Sequence, residues 1–184
     1  MPINLPNILT IIRILLVPVF VIYLQKNMFI PALIIFTIAG VSDGLDGLFA
    51  RCLNQKTNLG AHLDPLADKL LLAAAFVTLS IIQCIPDWLT VIVISRDILI
   101  LLGVGVYIML GIKVEVKPSF VSKCTTVAQL LTVFLVLLYL SLPGAPIIPD
   151  PYARLLYVTT ACLTIISGLH YIYKGMNIHQ KAEE

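Results

Sequence analysis

The chain has 184 residues, of which 59% are hydrophobic and 12% charged, with a mean hydropathy of +1.00. Soluble domains carry roughly 25% charged residues, so an ordinary water-soluble domain is excluded, as is a disordered chain, which needs low hydrophobicity and high charge. A formal net charge of +2 gives no argument for a nucleic-acid partner, and none is expected.

Six apolar stretches follow one another at about 8–25, 29–50, 63–83, 88–110, 122–141 and 152–173. Breakers separate them at Gln25–Asn27, Asn54–Gly60, Pro86–Asp87, Gly111–Pro118 and Pro143–Pro151. A bilayer crossing takes about 20 apolar residues. The pattern therefore predicts an all-α integral membrane protein, a bundle of six transmembrane helices forming a single domain over 1–184. No basic region precedes the first stretch and no small-residue cleavage site follows it, so it reads as a retained helix. The four cysteines, Cys52, Cys84, Cys124 and Cys162, stand far apart, without zinc spacing, and read as small apolar side chains in a bundle.

Basic residues set the expected orientation. Arg51, Lys56, Lys113, Lys117, Lys123, Lys174 and Lys181 gather at one face, whereas Lys26 and Arg154 stand beside Asp87 and Asp150 at the other. The positive-inside rule puts the first face and both termini in the cytoplasm. Charge inside the stretches is the residue of interest: Arg13, Asp43, Asp46, Asp64, Asp68, Lys69, Arg96 and Asp97. Each costs about 2.5–3.5 kcal/mol on insertion scales, so each reads as functional.

The densest group lies in residues 43–68. Asp43 and Asp46 are three apart and Asp64 and Asp68 four apart, so each pair shares one face of a helix. The short connection makes the two helices antiparallel neighbours with both pairs near the cytoplasmic end. Carboxylates converging where water is scarce repel unless cations neutralise them. All-oxygen ligation suits Mg²⁺, Mn²⁺ or Ca²⁺, and four carboxylates suit two ions better than one. Two such ions suit displacement at phosphorus. Gly44, Gly47 and Ala50 leave a helix face without bulk, and Arg51 puts a cation one turn beyond Gly47 where it could meet a phosphate.

The run Asp43-x-x-Asp46-Gly47-x-x-Ala50-Arg51, eight residues, Gly60-x-x-x-Asp64-x-x-x-Asp68 resembles the signature of the CDP-alcohol phosphotransferase family at every fixed position. The resemblance implies six transmembrane helices, a cytoplasm-facing active site, a homodimer, and transfer of a substituted phosphate from a CDP-linked donor to an alcohol with release of CMP. Carried over by position, it makes Asp43, Asp46 and Asp64 metal ligands for Mg²⁺ or Mn²⁺. It sets Asp68 at the metal centre as general base for the acceptor hydroxyl, and gives Gly47, Ala50, Arg51 and Gly60 the CDP pocket.

The N-terminal run Asn4-Leu-Pro6-Asn7-Ile-Leu-Thr10-Ile-Ile-Arg13 resembles the branch using CDP-diacylglycerol, which implies phospholipid synthesis in a bacterial inner membrane or its equivalent. Phosphatidylglycerophosphate synthases of that branch carry Arg-Glu with a second Arg seven residues after the first, and Gly-Lys-x-Lys-Thr on the fifth helix. Here those positions read Arg96-Asp97 with Val104, and Ser122-Lys123-Cys124-Thr125-Thr126, so two of four cations are missing. Lys117-Pro-Ser-Phe-Val-Ser-Lys123 with Gln129, and Ile94-Ser-Arg-Asp97, look closer to the cardiolipin synthases. Phosphatidylglycerol is therefore the expected acceptor and glycerol-3-phosphate the alternative, with Arg13, Arg96 and Lys123 as acceptor-binding candidates. Arg96 and Asp97 could instead neutralise one another, although adjacent helical residues point about 100° apart.

A carboxylate-lined cation transporter would explain the aspartates but not the Gly-x-x-Ala-Arg run or the spacing to Gly60. A non-catalytic lipid-binding member conflicts with the intact general-base position. His62 reads as a variable residue, His170 and His179 as interfacial, Trp88, Tyr152 and Tyr157 as interfacial aromatics, and Lys181–Glu184 as a frayed end.

Overall fold

The structure is a computed structural model describing residues 5–53, 58–109, 120–142 and 150–183, with side chains described for 11–42, 69–103, 105–106, 109, 120–142 and 152–173. These residues form six helices: α1 (Leu5–Gln25), α2 (Phe29–Leu53), α3 (Asn58–Ile81), α4 (Asp87–Met109), α5 (Phe120–Leu140) and α6 (Asp150–Glu183). No strand occurs among the described residues. Each expected stretch has become one helix.

Among the described residues, Phe120–Leu140 and Tyr152–Tyr173 are long and apolar enough to cross a membrane. Apolar side chains also face outward on the other helices, such as Leu15, Ile30, Leu70 and Leu102. A helix apolar on its buried and exposed faces alike belongs in a core or a membrane rather than at a water surface.

Two boundaries differ from the sequence expectation. The first turn of α3 takes in Asn58 and Gly60, which read as a breaker, and α6 runs without interruption to Glu183 through a tail read as frayed. The tail residues Ile178-His-Gln-Lys-Ala-Glu183 contain neither Gly nor Pro, so nothing in them stops a helix that α6 has already nucleated.

The chain divides into two compact units, one of residues 1–85 with 133–148, the other of 86–132 with 149–184. In the first unit α1 packs against α2 and α3, while α2 and α3 touch more sparsely. Its core is apolar: Phe20 and Leu24 of α1, Ala32, Phe36 and Ala39 of α2, and Leu72, Ala75, Phe76 and Leu79 of α3. Their spacings of three, four and seven are those of one helix face. The rings of Phe20 and Phe36 meet at 5.9 Å between centroids.

The turns after α1 and after α3 stop their helices in the same way. The Asn27 amide donates to the Leu24 carbonyl and Met28 to Tyr23, each at 2.9 Å, with Asn27 at φ 55°. Gln83 repeats the pattern at φ 58°, donating to Ser80 while Cys84 donates to Leu79, each at 2.8 Å. This 6→1 and 5→2 pairing satisfies carbonyls that the helix end leaves open. The second turn half-buries Cys84, and that burial pushes its thiol up.

In the second unit α4 packs on α6. Leu89, Val93 and Arg96 line the buried stripe of α4, and Ala153, Tyr157, Ala161 and Thr164 that of α6. Tyr157 is thus a core residue rather than the interfacial aromatic its sequence position suggests. Trp88 and Tyr152 are exposed as expected.

Candidate functional site

The signature residues fall on two helices that share one end of the first unit. Asp43, Asp46, Gly47, Ala50 and Arg51 occupy the C-terminal half of α2, and Gly60, Asp64 and Asp68 the N-terminal half of α3. Only residues 54–57 separate the two helices in sequence, so the two carboxylate pairs stand on adjoining halves of α2 and α3. The side chains of 43–53 and 58–68 lie outside the described residues, His62 among them, as do residues 1–4 and 54–57 with Asn4 and Lys56.

Arg13 has an unexpected place for a cation. It stands seven residues before Phe20 and eleven before Leu24, on the stripe with which α1 enters the apolar core, and it is 2% exposed. A charge there is tolerated only with a polar partner, and Arg13 is engaged in such an interaction. Lys69, following the last signature aspartate, is half-buried and likewise engaged.

Arg96 is the corresponding cation of the second unit, and its partners are resolved. One terminal nitrogen, Nη1, donates to Asp97 Oδ1 at 2.7 Å, closing the ion pair between neighbours. The other, Nη2, donates to Ser122 Oγ of α5 at 2.6 Å and to Ser167 Oγ of α6 at 2.8 Å. Nε is buried and has no hydrogen-bond partner among the described residues. At Gly168 α6 approaches so closely that a methyl group would meet the Arg96 stem at 3.7 Å. The local neutralisation considered from sequence does form, because the long Arg stem lets the guanidinium turn back toward its neighbour.

Below Arg96 a seam of hydroxyl and amide groups joins α5 to α6. Thr125 donates one hydroxyl hydrogen between the carbonyls of Val121, at 2.9 Å, and Leu163, at 3.0 Å. Gln129 Nε2 donates to Thr164 Oγ1 at 3.3 Å, and the hydroxyls of Thr132 and Thr160 lie 2.7 Å apart. All these side chains are buried. Residues 122, 125, 129 and 132 recur at spacings of three and four, as do 160, 164 and 167, so each set lines one face. Sequence reasoning found Ser122, Thr125 and Gln129 only as motif letters and missed Thr132, Thr160, Thr164 and Ser167. Their helical spacing was the available signal, hidden because hydropathy averages over all faces.

Lys123 is exposed at the start of α5, adjacent in sequence to buried Ser122. Thr125, where a second lysine would complete the cationic motif, has no charge and no free exposure. The position of the second arginine, Val104, has its side chain outside the described residues.

A family model described as CDP-alcohol phosphatidyltransferase matches residues 3–170. A CDP-diacylglycerol–glycerol-3-phosphate 3-phosphatidyltransferase of Bacillus subtilis is 34% identical over 188 residues, covering 94% of this chain and 95% of that protein. A protein of the same description from Haemophilus influenzae is 43% identical over 138 residues, 71% of this chain and 74% of its own length. A cardiolipin synthase (CMP-forming) of Rattus norvegicus is 34% identical over 191 residues. That match covers 95% of this chain, which spans 62% of the rat protein.

Proposed function

The chain belongs to the CDP-alcohol phosphatidyltransferase family, and from that premise we propose that it transfers the phosphatidyl group of CDP-diacylglycerol to phosphatidylglycerol, giving cardiolipin and CMP. A hydroxyl of the acceptor glycerol attacks the phosphatidyl phosphorus. The bond from that phosphorus to the CMP oxygen breaks, CMP leaves, and the hydroxyl proton passes to the Asp68 carboxylate, a positioned general base.

Asp43, Asp46, Asp64 and Asp68 offer only anionic oxygens, a donor set suited to two hard divalent ions such as Mg²⁺ or Mn²⁺. Such ions, when bound, offset charge on the pyrophosphate and on the departing CMP. Gly47, Ala50 and Gly60 leave room for the donor's CDP group and Arg51 supplies a cation to its phosphates. Arg13 and Lys123 supply positive charge toward the acceptor, whereas Arg96, the third candidate, is held by Asp97, Ser122 and Ser167.

The observation that carries the choice of acceptor is how the charge of α4, α5 and α6 is committed. Arg96 is tied to Asp97 and two serines, and Thr125 stands hydrogen-bonded where a cation would be needed. Lys123 is the exposed cation left among the described residues of this α5 motif. Phosphatidylglycerol carries one phosphodiester charge. A phosphate monoester carries nearly two, its second pKa lying near 6, and calls for more cations. Glycerol-3-phosphate is the second reading, favoured by the match to the Bacillus subtilis relative along nearly its whole length.

Each helix has 21 residues or more, enough to cross about 30 Å of hydrocarbon. The proposal therefore includes six spans in one catalytic domain over 1–184, in a bacterial inner membrane or its equivalent, acting as a homodimer. Both termini and the active site face the cytoplasm, following the basic residues. The deciding experiment supplies purified protein with labelled CDP-diacylglycerol, Mg²⁺, and either phosphatidylglycerol or glycerol-3-phosphate, and resolves the lipid products. Cardiolipin from the first alone is the expected result. Phosphatidylglycerophosphate from the second would overturn the acceptor and leave the donor chemistry standing.

A further inference from the structure

The arginine of α4 sits where one side chain from each of two other helices reaches it, and its hydrogens are unevenly spent. Nη2 has two hydrogens and both are taken, by Ser122 of α5 and Ser167 of α6. One Nη1 hydrogen goes to Asp97. The side chain is 5% exposed. A guanidinium recognises a phosphate best through two parallel N–H groups presented as a fork. Here the Nη1–Nη2 fork is already occupied, and the Nη2–Nε edge has lost its Nη2 half to the serines.

We propose that Ser122 and Ser167 are specificity-determining residues, which hold the Arg96 guanidinium inside the α4–α5–α6 seam and so withdraw its fork from any acceptor phosphate. This deepens the phosphatidylglycerol reading and rests on it. Arg96 is then a positioning residue that fixes the start of α5, and with it Lys123, against α4 and α6. The seam below explains why the arrangement holds. Thr125, Gln129 and Thr132 lock α5 to α6 at the Leu163 carbonyl, Thr164 and Thr160, so Ser122 and Ser167 arrive at fixed distances from Arg96. Removing the two hydroxyls leaves a buried cation with two unmet donors, which favours rotation toward an anion. A dianionic phosphate monoester gains most from such a fork.

The test uses the full chain in mixed micelles with CDP-diacylglycerol and Mg²⁺. Ser122→Ala, Ser167→Ala and the double variant are compared with the unaltered protein, reading kcat and KM separately for phosphatidylglycerol and glycerol-3-phosphate. A thermal shift on adding CDP-diacylglycerol reports folding. The double variant is expected to raise the ratio of kcat/KM for glycerol-3-phosphate over phosphatidylglycerol at least tenfold, through a lower KM for glycerol-3-phosphate. Ser122→Thr, which keeps the accepting oxygen, is expected to retain the original ratio. Should the double variant not fold, Ser122→Ala alone is read the same way. An unchanged ratio in a folded variant, with the unaltered protein making cardiolipin, overturns the role of the serines and leaves the acceptor assignment intact. Use of glycerol-3-phosphate by the unaltered protein overturns the acceptor assignment and this inference together, so the two failures look different.

Discussion

The two units of this protein each bury an arginine, on helix stripes of different make-up. Arg13 lies on the stripe of α1 that continues to Phe20 and Leu24, whereas Arg96 lies on the core stripe of α4 at the head of a seam of serines, threonines and a glutamine. Apolar helix faces lack a strong driving force toward one another in lipid, since acyl chains are as apolar as leucine. Placed in a bilayer, the first unit would therefore depend on shape, through the contact of Phe20 with Phe36 and the close approach that alanines allow. The second is joined by side-chain hydrogen bonds between α5 and α6 and from both to Arg96. Shape tolerates small displacements, while a hydrogen-bonded seam fixes register. That division fits the proposal that α2 and α3 carry the reacting carboxylates and that α4, α5 and α6 tell one acceptor from another.

Substitutions can break this contrast at several depths. The largest effect is expected from Asp43→Asn, Asp64→Asn or Asp68→Asn, each lowering CMP release by about a hundredfold or more without lowering the unfolding temperature. An Asp68→Asn protein that binds CDP-diacylglycerol and still turns over normally would remove that residue as the base. Arg96→Ala comes next. Removing one member of a buried, hydrogen-bonded charge group typically costs about 3–5 kcal/mol, so thermal unfolding in detergent should shift far more than for exposed Lys123→Ala. Equal shifts for the two would dissolve the picture of Arg96 as a hub.

Phe76→Ala probes the shape-dependent unit. It opens a cavity in a fully buried site and is expected to cost about 3 kcal/mol. Thr132→Val is the mildest probe, since a polar contact between membrane helices averages about 0.6 kcal/mol. The same melting curves rank all three, and a Thr132→Val loss as large as that of Phe76→Ala would invert the roles given to the two units. Lys123→Ala sharpens the functional side of the comparison. It should raise KM for phosphatidylglycerol roughly tenfold, the loss of one charge-assisted hydrogen bond, while leaving the melting temperature in place.

Helix number and most helix ends were legible because breakers separate the apolar stretches cleanly, and Asn27 and Pro86 mark turns by their own backbone chemistry. The candidate site residues stand out in the sequence for another reason. Eight charged positions inside stretches with so little charge elsewhere leave few places to look. The α5–α6 seam was not legible, because Thr125, Gln129, Thr132 and Thr164 are polar only on one face and their neighbours keep the average apolar. Nor could the sequence place Tyr157 in the core, since a tyrosine seven residues into a helix is equally at home at an interface. The side-chain geometry of Asp43 and its three partners lies outside the described residues. Their place on adjoining halves of α2 and α3 follows from the backbone alone.

The length of α6 has a practical consequence. Its apolar part is Tyr152–Tyr173, and residues 174–183 continue as the same helix. At 1.5 Å per residue they carry the C-terminus about 15 Å beyond the apolar segment. A label attached there is held on a stiff post rather than a tether, and turns by about 100° for each residue inserted or removed. Spectroscopic distances from such a label would read the tilt of α6 directly, in the intact protein, while the enzyme works.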